Sequence, residues 1–231
     1  MNQNNAATIK ALKTEAARKA VSYIKDGMLL GLGSGSTSEI ALAMIGQKVK
    51  EGMNLRGIPS SEKVAELARD LGIPLVSYKE VELLDLNLDG ADEVDPNYAL
   101  IKGGGAALLR EKINAFNAKK NIIMVDQRKM VPQLGAFPLP VEVIPFGHEQ
   151  VGRLISQEYG IDCSFRKQED QLLRSDNGNY ILDCSFGNIP DPARLDTQLK
   201  AFPGVVETGL FIGLTSVLVL AKSKGVEVHE V

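Results

Sequence analysis

Three short segments carry residues that could bind an anion or move a proton. The first is Gly33-Ser34-Gly35-Ser36-Thr37. Glycines let a backbone turn tightly and approach a ligand, and the N–H groups of a helix start face an anion. Ser34, Ser36 and Thr37 add hydroxyl donors, so phosphate is the natural guest; a plain turn before a capped helix is the competing reading. The third glycine of a dinucleotide fingerprint would fall at Ser38, and no Gly-Lys-Ser/Thr follows, so neither NAD nor ATP is indicated. The second segment is Asp89-Gly90-Ala91-Asp92-Glu93-Val94-Asp95, with four acids in seven residues. Crowded carboxylates raise one another's proton affinity, which suits acid–base work. A divalent-metal site and a solvated acidic turn stay open beside that reading, and the cluster alone favours the turn. The third is Lys102-Gly103-Gly104-Gly105, a backbone built to pass close to something, with a lysine able to meet an oxyanion or the acids.

These segments need elements to hold them. Ile9, Leu12, Ala16, Ala20 and Tyr23 recur at helical spacing, and a strand is expected over 28–32. Ser36-Thr37-Ser38-Glu39 has capping-box spacing, which predicts a helix from Ser36 carrying Ile40, Ala43 and Met44. Further strands are expected at 54–58, 74–77, 84–89, 98–101 and 121–125, with helices opening near Pro59 and over 106–118. Leu109, Ile113 and Phe116 mark one side of that last helix. Periodicity leaves Glu111 on the opposite, solvated side, and Lys129 equally anonymous. Alternating strands and helices imply an open, Rossmann-like α/β sheet. Prolines then cluster at Pro132, Pro138, Pro140 and Pro145. Beyond them the pattern reads strand, helix (148–159), strand, a hairpin turning at 175–179 between 171–173 and 180–182, and helix (192–201). The domain expectation is therefore an α/β domain of 1–131 and 205–231, with 132–204 as an inserted small α+β (ferredoxin-like) domain.

The 231 residues are 44% hydrophobic and 24% charged, enough for a core and against disorder beyond a loose polar start over the first five residues. A formal net charge of −3 without a basic stripe argues against nucleic acid, and no apolar run is long enough to span a bilayer. The start has no signal-peptide core, and the two cysteines, Cys163 and Cys184, make no disulfide framework. His148 and the cysteines are expected to be structural. A cytoplasmic protein without metal or cofactor is the expectation.

The segments GSGST, DGADE and KGGGAALLREK, in this order and spacing, closely resemble those of type A ribose-5-phosphate isomerases. The resemblance continues through VDQRK, FPLPVEVIP and PGVVETGLF, so it spans nearly the whole chain. It implies an aldose–ketose isomerase interconverting D-ribose 5-phosphate and D-ribulose 5-phosphate through an enediol, in the non-oxidative pentose phosphate pathway. It implies that Glu111 is the base, that Asp89, Asp92 and Lys102 surround the reacting carbons, and that Ser34, Gly35, Ser36 and Thr37 hold substrate. Gly90, Ala91, Gly103, Gly104, Gly105 and Lys129 join the substrate-binding set, and Lys13 matches a phosphate-contacting lysine. No cofactor or metal is implied, and the partners would be the sugar phosphate and further copies of the chain in a homodimer or homotetramer. Family members often carry Ser where this chain has Arg128. Amino-sugar phosphate deamination and coenzyme A transfer are disfavoured by KGGG…REK. A sugar-phosphate-sensing regulator is disfavoured because a single helix precedes the glycine loop.

Overall fold

The computed structural model describes residues 3–231, with side chains from residue 7 onward. In chain order the elements are α1 (Gln3–Val21), β1 (Leu29–Leu32), α2 (Ser36–Lys50), β2 (Arg56–Pro59), α3 (Glu62–Asp70), β3 (Leu86–Asp89), β4 (Glu93–Val94), β5 (Leu100–Ile101), α4 (Leu108–Phe116) and β6 (Asn121–Asp126). A single 3-10 turn (Gln127–Lys129) follows, then β7 (Leu139–Val143), α5 (His148–Tyr159), β8 (Cys163–Phe165), β9 (Lys167–Gln168), β10 (Gln171–Leu172) and β11 (Tyr180–Cys184). The chain closes with α6 (Pro192–Lys200), β12 (Val205–Thr208), β13 (Leu210–Phe211), β14 (Val217–Lys222) and β15 (Gly225–Glu230). Of the loose start expected over the first five residues, Met1 and Asn2 lie outside the described residues, while α1 already begins at Gln3.

The chain forms two compact units, Met1–Ala91 with Arg110–Met130 and Leu214–Val231, and Asp92–Leu109 with Val131–Gly213. The first unit is built on a six-stranded sheet in the order β15-β14-β6-β3-β1-β2. Every neighbouring pair is parallel except β14–β15. Its central strands are buried on both faces, as parallel strands covered by helices must be. Asn87 breaks the apolar run of β3, but its amide donates to Asn121 Oδ1 at 3.0 Å, so the alternation of 84–89 hides a wholly buried strand. Ala16, Ala17 and Ala20 are fully buried and let α1 lie close on the sheet, over Leu30, Ile122 and Val219. Each such Leu, Ile or Val contributes about 1.5–3 kcal/mol of burial. Helix α2 buries Ser38, Ala41, Leu42 and Ile45, a face turned by one residue from the expected Ile40, Ala43 and Met44. The strand expected at 74–77 is reduced to one bridge, Leu75 to Gly57. β15 has no counterpart in the sequence reading, although Val226 and Val228 alternate with polar residues there.

The chain leaves β1 for β2 on one side and returns to β3 on the other. The β1–β3 neighbourhood is thus the switch point of this sheet, and ligands bind beyond the carboxyl ends of the strands at such a point. The segments after β1 (33–37), β3 (89–91) and β6 (127–129) leave from that one edge, because β1, β3 and β6 are parallel neighbours.

In the second unit a sheet runs β12-β7-β11-β8, all antiparallel, and the chain through it reads β-α-β-β-α-β. A smaller sheet, β13-β5-β4, accompanies it. Leu139, Val141, Ile155, Leu182 and Leu199 form its core. The domain limits differ from the sequence expectation for a specific reason. β5 pairs with β13 and not with the parallel sheet, and β12 pairs with β7, so 92–109 and 205–213 join the second unit. The hairpin also differs: β10 pairs with β9, and only Arg174 bridges to Tyr180. His148 hydrogen-bonds Pro145 O at 2.8 Å and packs on Phe165 and Tyr180. Cys163 and Cys184 face each other across β8–β11 as free thiols.

Candidate active site

In the first unit, Asp89 ends β3 with 1% exposure. Its Oδ1 accepts from Gly90 N–H at 2.8 Å and from Ser38 Oγ at 3.3 Å. The loop after β1 presses against this carboxylate: a Cβ on Gly33 would sit 2.3 Å from it, so only glycine fits. Ser34 is fixed from the other side, its Oγ bonded to Ser60 Oγ at 2.8 Å and Ser61 Oγ at 2.9 Å. Helix α2 does begin at Ser36, but its N-cap is Gly35 at φ 96°, and no side chain caps it. The capping box therefore does not form. Ser36 instead accepts from Lys13 Nζ at 2.7 Å, and Glu39 takes an ion pair from Lys63 at 2.6 Å. The result is a helix start without a side-chain cap, lined by hydroxyls and a cation, the arrangement an anion needs.

Glu111 contradicts the periodicity most sharply. It is 4% exposed, while Ile113 and Phe116 of the apolar stripe are 41% and 78% exposed. Asn114 explains the inversion. One turn on from Glu111, it donates to Ile58 O at 3.1 Å and accepts from Tyr78 Oη at 2.8 Å, pinning the polar face of α4 inward. Burial pushes the Tyr78 hydroxyl up to about 12. Charged groups are seldom buried unless paired or functional. Lys129 ends the 3-10 turn, half-buried. Arg128 folds back onto Asp126, with Nε to Oδ1 at 2.7 Å and Nη2 to Oδ2 at 2.8 Å.

In the second unit, Asp92 Oδ2 accepts from Gly104 N–H at 2.8 Å, tying the acid to the glycine run. Lys102 is 4% exposed, its Nζ 5.5 Å from the centre of the Phe211 ring. The other acids of the cluster have structural work: Glu93 accepts from Gly135 and Phe137 N–H, and Asp95 from Asn97 and Ala99 N–H. Among the described residues no three His, Cys, Asp or Glu side chains are grouped to hold a metal ion. The sequence reading missed Ser38, Ser60, Ser61, Tyr78 and Asn114. Of these, Asn114 was detectable, since Glu111 and Asn114 stand one turn apart.

The family model of ribose 5-phosphate isomerase A (phosphoriboisomerase A) matches residues 56–225. The chain belongs to the ribose-5-phosphate isomerase A family. The isomerase A of Maricaulis maris is 47% identical over 226 residues, covering 94% of this chain and 97% of its own. A D-ribose-5-phosphate isomerase solved in complex with phospho-erythronic acid superposes with a TM-score of 0.93 at 36% identity, over 96% of this chain and 99% of that one. The Plasmodium falciparum ribose 5-phosphate isomerase gives 0.93 at 35% identity, over the same shares. The family model spans Asp89, Asp92, the glycine run, Glu111 and Lys129 but begins after the 33–37 loop. The Maricaulis maris isomerase A leaves too little of this chain uncovered at either end for that loop to fall outside the match.

Proposed function

We propose that this chain interconverts D-ribose 5-phosphate and D-ribulose 5-phosphate, as the names of its relatives imply. The observation that carries the chemistry is the buried Glu111 carboxylate on a helix face where the sequence pattern left a solvated one. Glu111 takes the proton from carbon 2 of the open-chain aldose. The C–H electrons form the carbon 1–carbon 2 double bond of an enediol, and the carbonyl electrons move onto oxygen 1. The same carboxyl group then returns its proton to carbon 1, giving the ketose. Asp89 and Asp92 move the proton between the two oxygens, and Lys102 offsets the negative charge on the enediolate, where preorganised charge is most effective. Ser34, Gly35, Ser36 and Thr37, with Lys13, hold the phosphate. Lys129 and the backbone at Gly90, Ala91, Gly103, Gly104 and Gly105 hold the rest of the sugar, supplying positioning energy away from the reacting carbons. A sugar-acid phosphate, such as the one bound to the solved relative, has the planar charge of an enediolate, which supports this route.

The strand orders support the finer reading of a Rossmann-like sheet carrying a ferredoxin-like unit. The reading also places the protein in the cytoplasm as a homodimer or homotetramer. Ile113 and Phe116, one turn apart on α4 and 41% and 78% exposed, support self-association through that face. The direct test is a coupled assay for ribulose 5-phosphate formed from ribose 5-phosphate with a chelator present. Turnover supports the proposal, and its absence in folded protein overturns it.

A further inference from the structure

We infer that Arg166, oriented by Asp183, is a positioning residue that fixes the 102–105 loop in the shape that holds substrate. This rests on the reading of that loop given above. Arg166 lies between β8 and β9, and its backbone is held on both sides: its N–H donates to Ile181 O at 2.8 Å and its carbonyl accepts from Leu173 N–H at 2.9 Å. Asp183 on β11 sits opposite Ser164, so Arg166 is its diagonal neighbour across the ladder. The guanidinium uses both ends. Nε and Nη2 fork onto the Asp183 carboxylate, Nε at 2.9 Å. Nη1 donates to Gly103 O at 2.8 Å and Gly104 O at 3.0 Å.

The loop needs such a clamp. Gly103 adopts φ 104°, and a Cβ there would sit 3.0 Å from Leu108. Ala106 is held at φ 61°, a left-handed conformation costly for a residue with a Cβ, and its N–H bonds the same Gly103 carbonyl at 3.0 Å. Such backbone persists only when its surroundings over-determine it. Gly104 N–H meanwhile donates to Asp92, so the peptide groups that meet a proposed catalytic acid on one side meet Arg166 on the other. Lysine cannot replace this contact, because one ammonium cannot fork onto a carboxylate and also reach two carbonyls.

The test compares Arg166→Lys with the paired change Arg166→Met/Asp183→Leu, which leaves no unpaired charge and so retains the fold. A loop displaced by about 1 Å lowers turnover roughly 10- to 100-fold. The expected result is that fall in kcat together with a raised KM for both variants, a melting midpoint near wild type, and partial recovery of kcat in Arg166→Gly on adding guanidinium. Wild-type kcat in both variants, or a loss that only follows the fraction of folded protein and ignores guanidinium, overturns the inference. Lys102→Met separates the two layers of the argument. If it is inactive while Arg166→Lys is fully active, the loop reading stands and the clamp falls. If Lys102→Met turns over normally, the loop reading falls and the clamp with it.

Discussion

Asp126 and Arg128 show two neighbouring charges settling each other's protonation. Burial pushes the Asp126 carboxyl up, but the Arg128 hydrogen bonds and charge outweigh it, and the net direction is down. Arg128 is correspondingly raised, first by its hydrogen bond to Asp126. A carboxylate with a lowered pKa stabilises the fold above its ordinary value and loses that contribution as pH falls through the lowered one. Arg128→Ala is therefore expected to destabilise the protein by about 1 kcal/mol at pH 7, a low figure because Arg128 is itself half exposed. The difference should shrink as pH drops below 3.8, the ordinary aspartate value, because protonated Asp126 offers no charge to hold. Denaturant unfolding at neutral and acid pH measures it, and a pH-independent difference contradicts the assignment.

At the scale of elements, the parallel strands were the most legible part. The short apolar runs at 28–32, bounded by glycines, and at 121–125 became β1 and β6 with shifts of a residue or so. The face of α4 was not legible from periodicity, because its core contacts are polar: Asn114 reaches a strand carbonyl and a tyrosine, and Ile113 and Phe116 face outward. The start of α2 was placed correctly but for the wrong reason, since Gly35 and not Ser36 occupies the cap. That difference has a consequence. Ser36 and Thr37 do not cap α2, so Ser36→Val/Thr37→Val should leave the melting midpoint nearly unchanged while raising KM strongly. Loss of stability with normal KM would return these hydroxyls to a structural role.

For the whole molecule, the chain passes between the two units at 91/92, 109/110, 130/131 and 213/214. The sequence could not show these crossings, because strand partners far apart in the chain, β5 with β13 and β7 with β12, decide them. The sequence expectation set its boundaries at 131/132 and 204/205, while the crossings nearest them lie at 130/131 and 213/214. Replacing 132–204 by a short linker would strip β12 of β7 and remove Leu139, Val141 and Leu182, which share a core with Ile101 and Leu210. The shortened chain should therefore lack a single cooperative unfolding transition in calorimetry. A sharp transition would mean that 132–204 is an independent insertion after all.

The most direct test of the account is proton exchange in Glu111→Gln. The change keeps size and hydrogen bonding but removes the basic carboxylate. General-base catalysis is worth about 10²–10⁴-fold, so kcat should fall by that order while substrate still binds. Exchange of the substrate's carbon 2 proton with heavy water, followed by NMR, should fall in parallel, because both depend on one abstraction step. Wild-type exchange in Glu111→Gln would show that another group is the base, with Asp89 or Asp92 first in line.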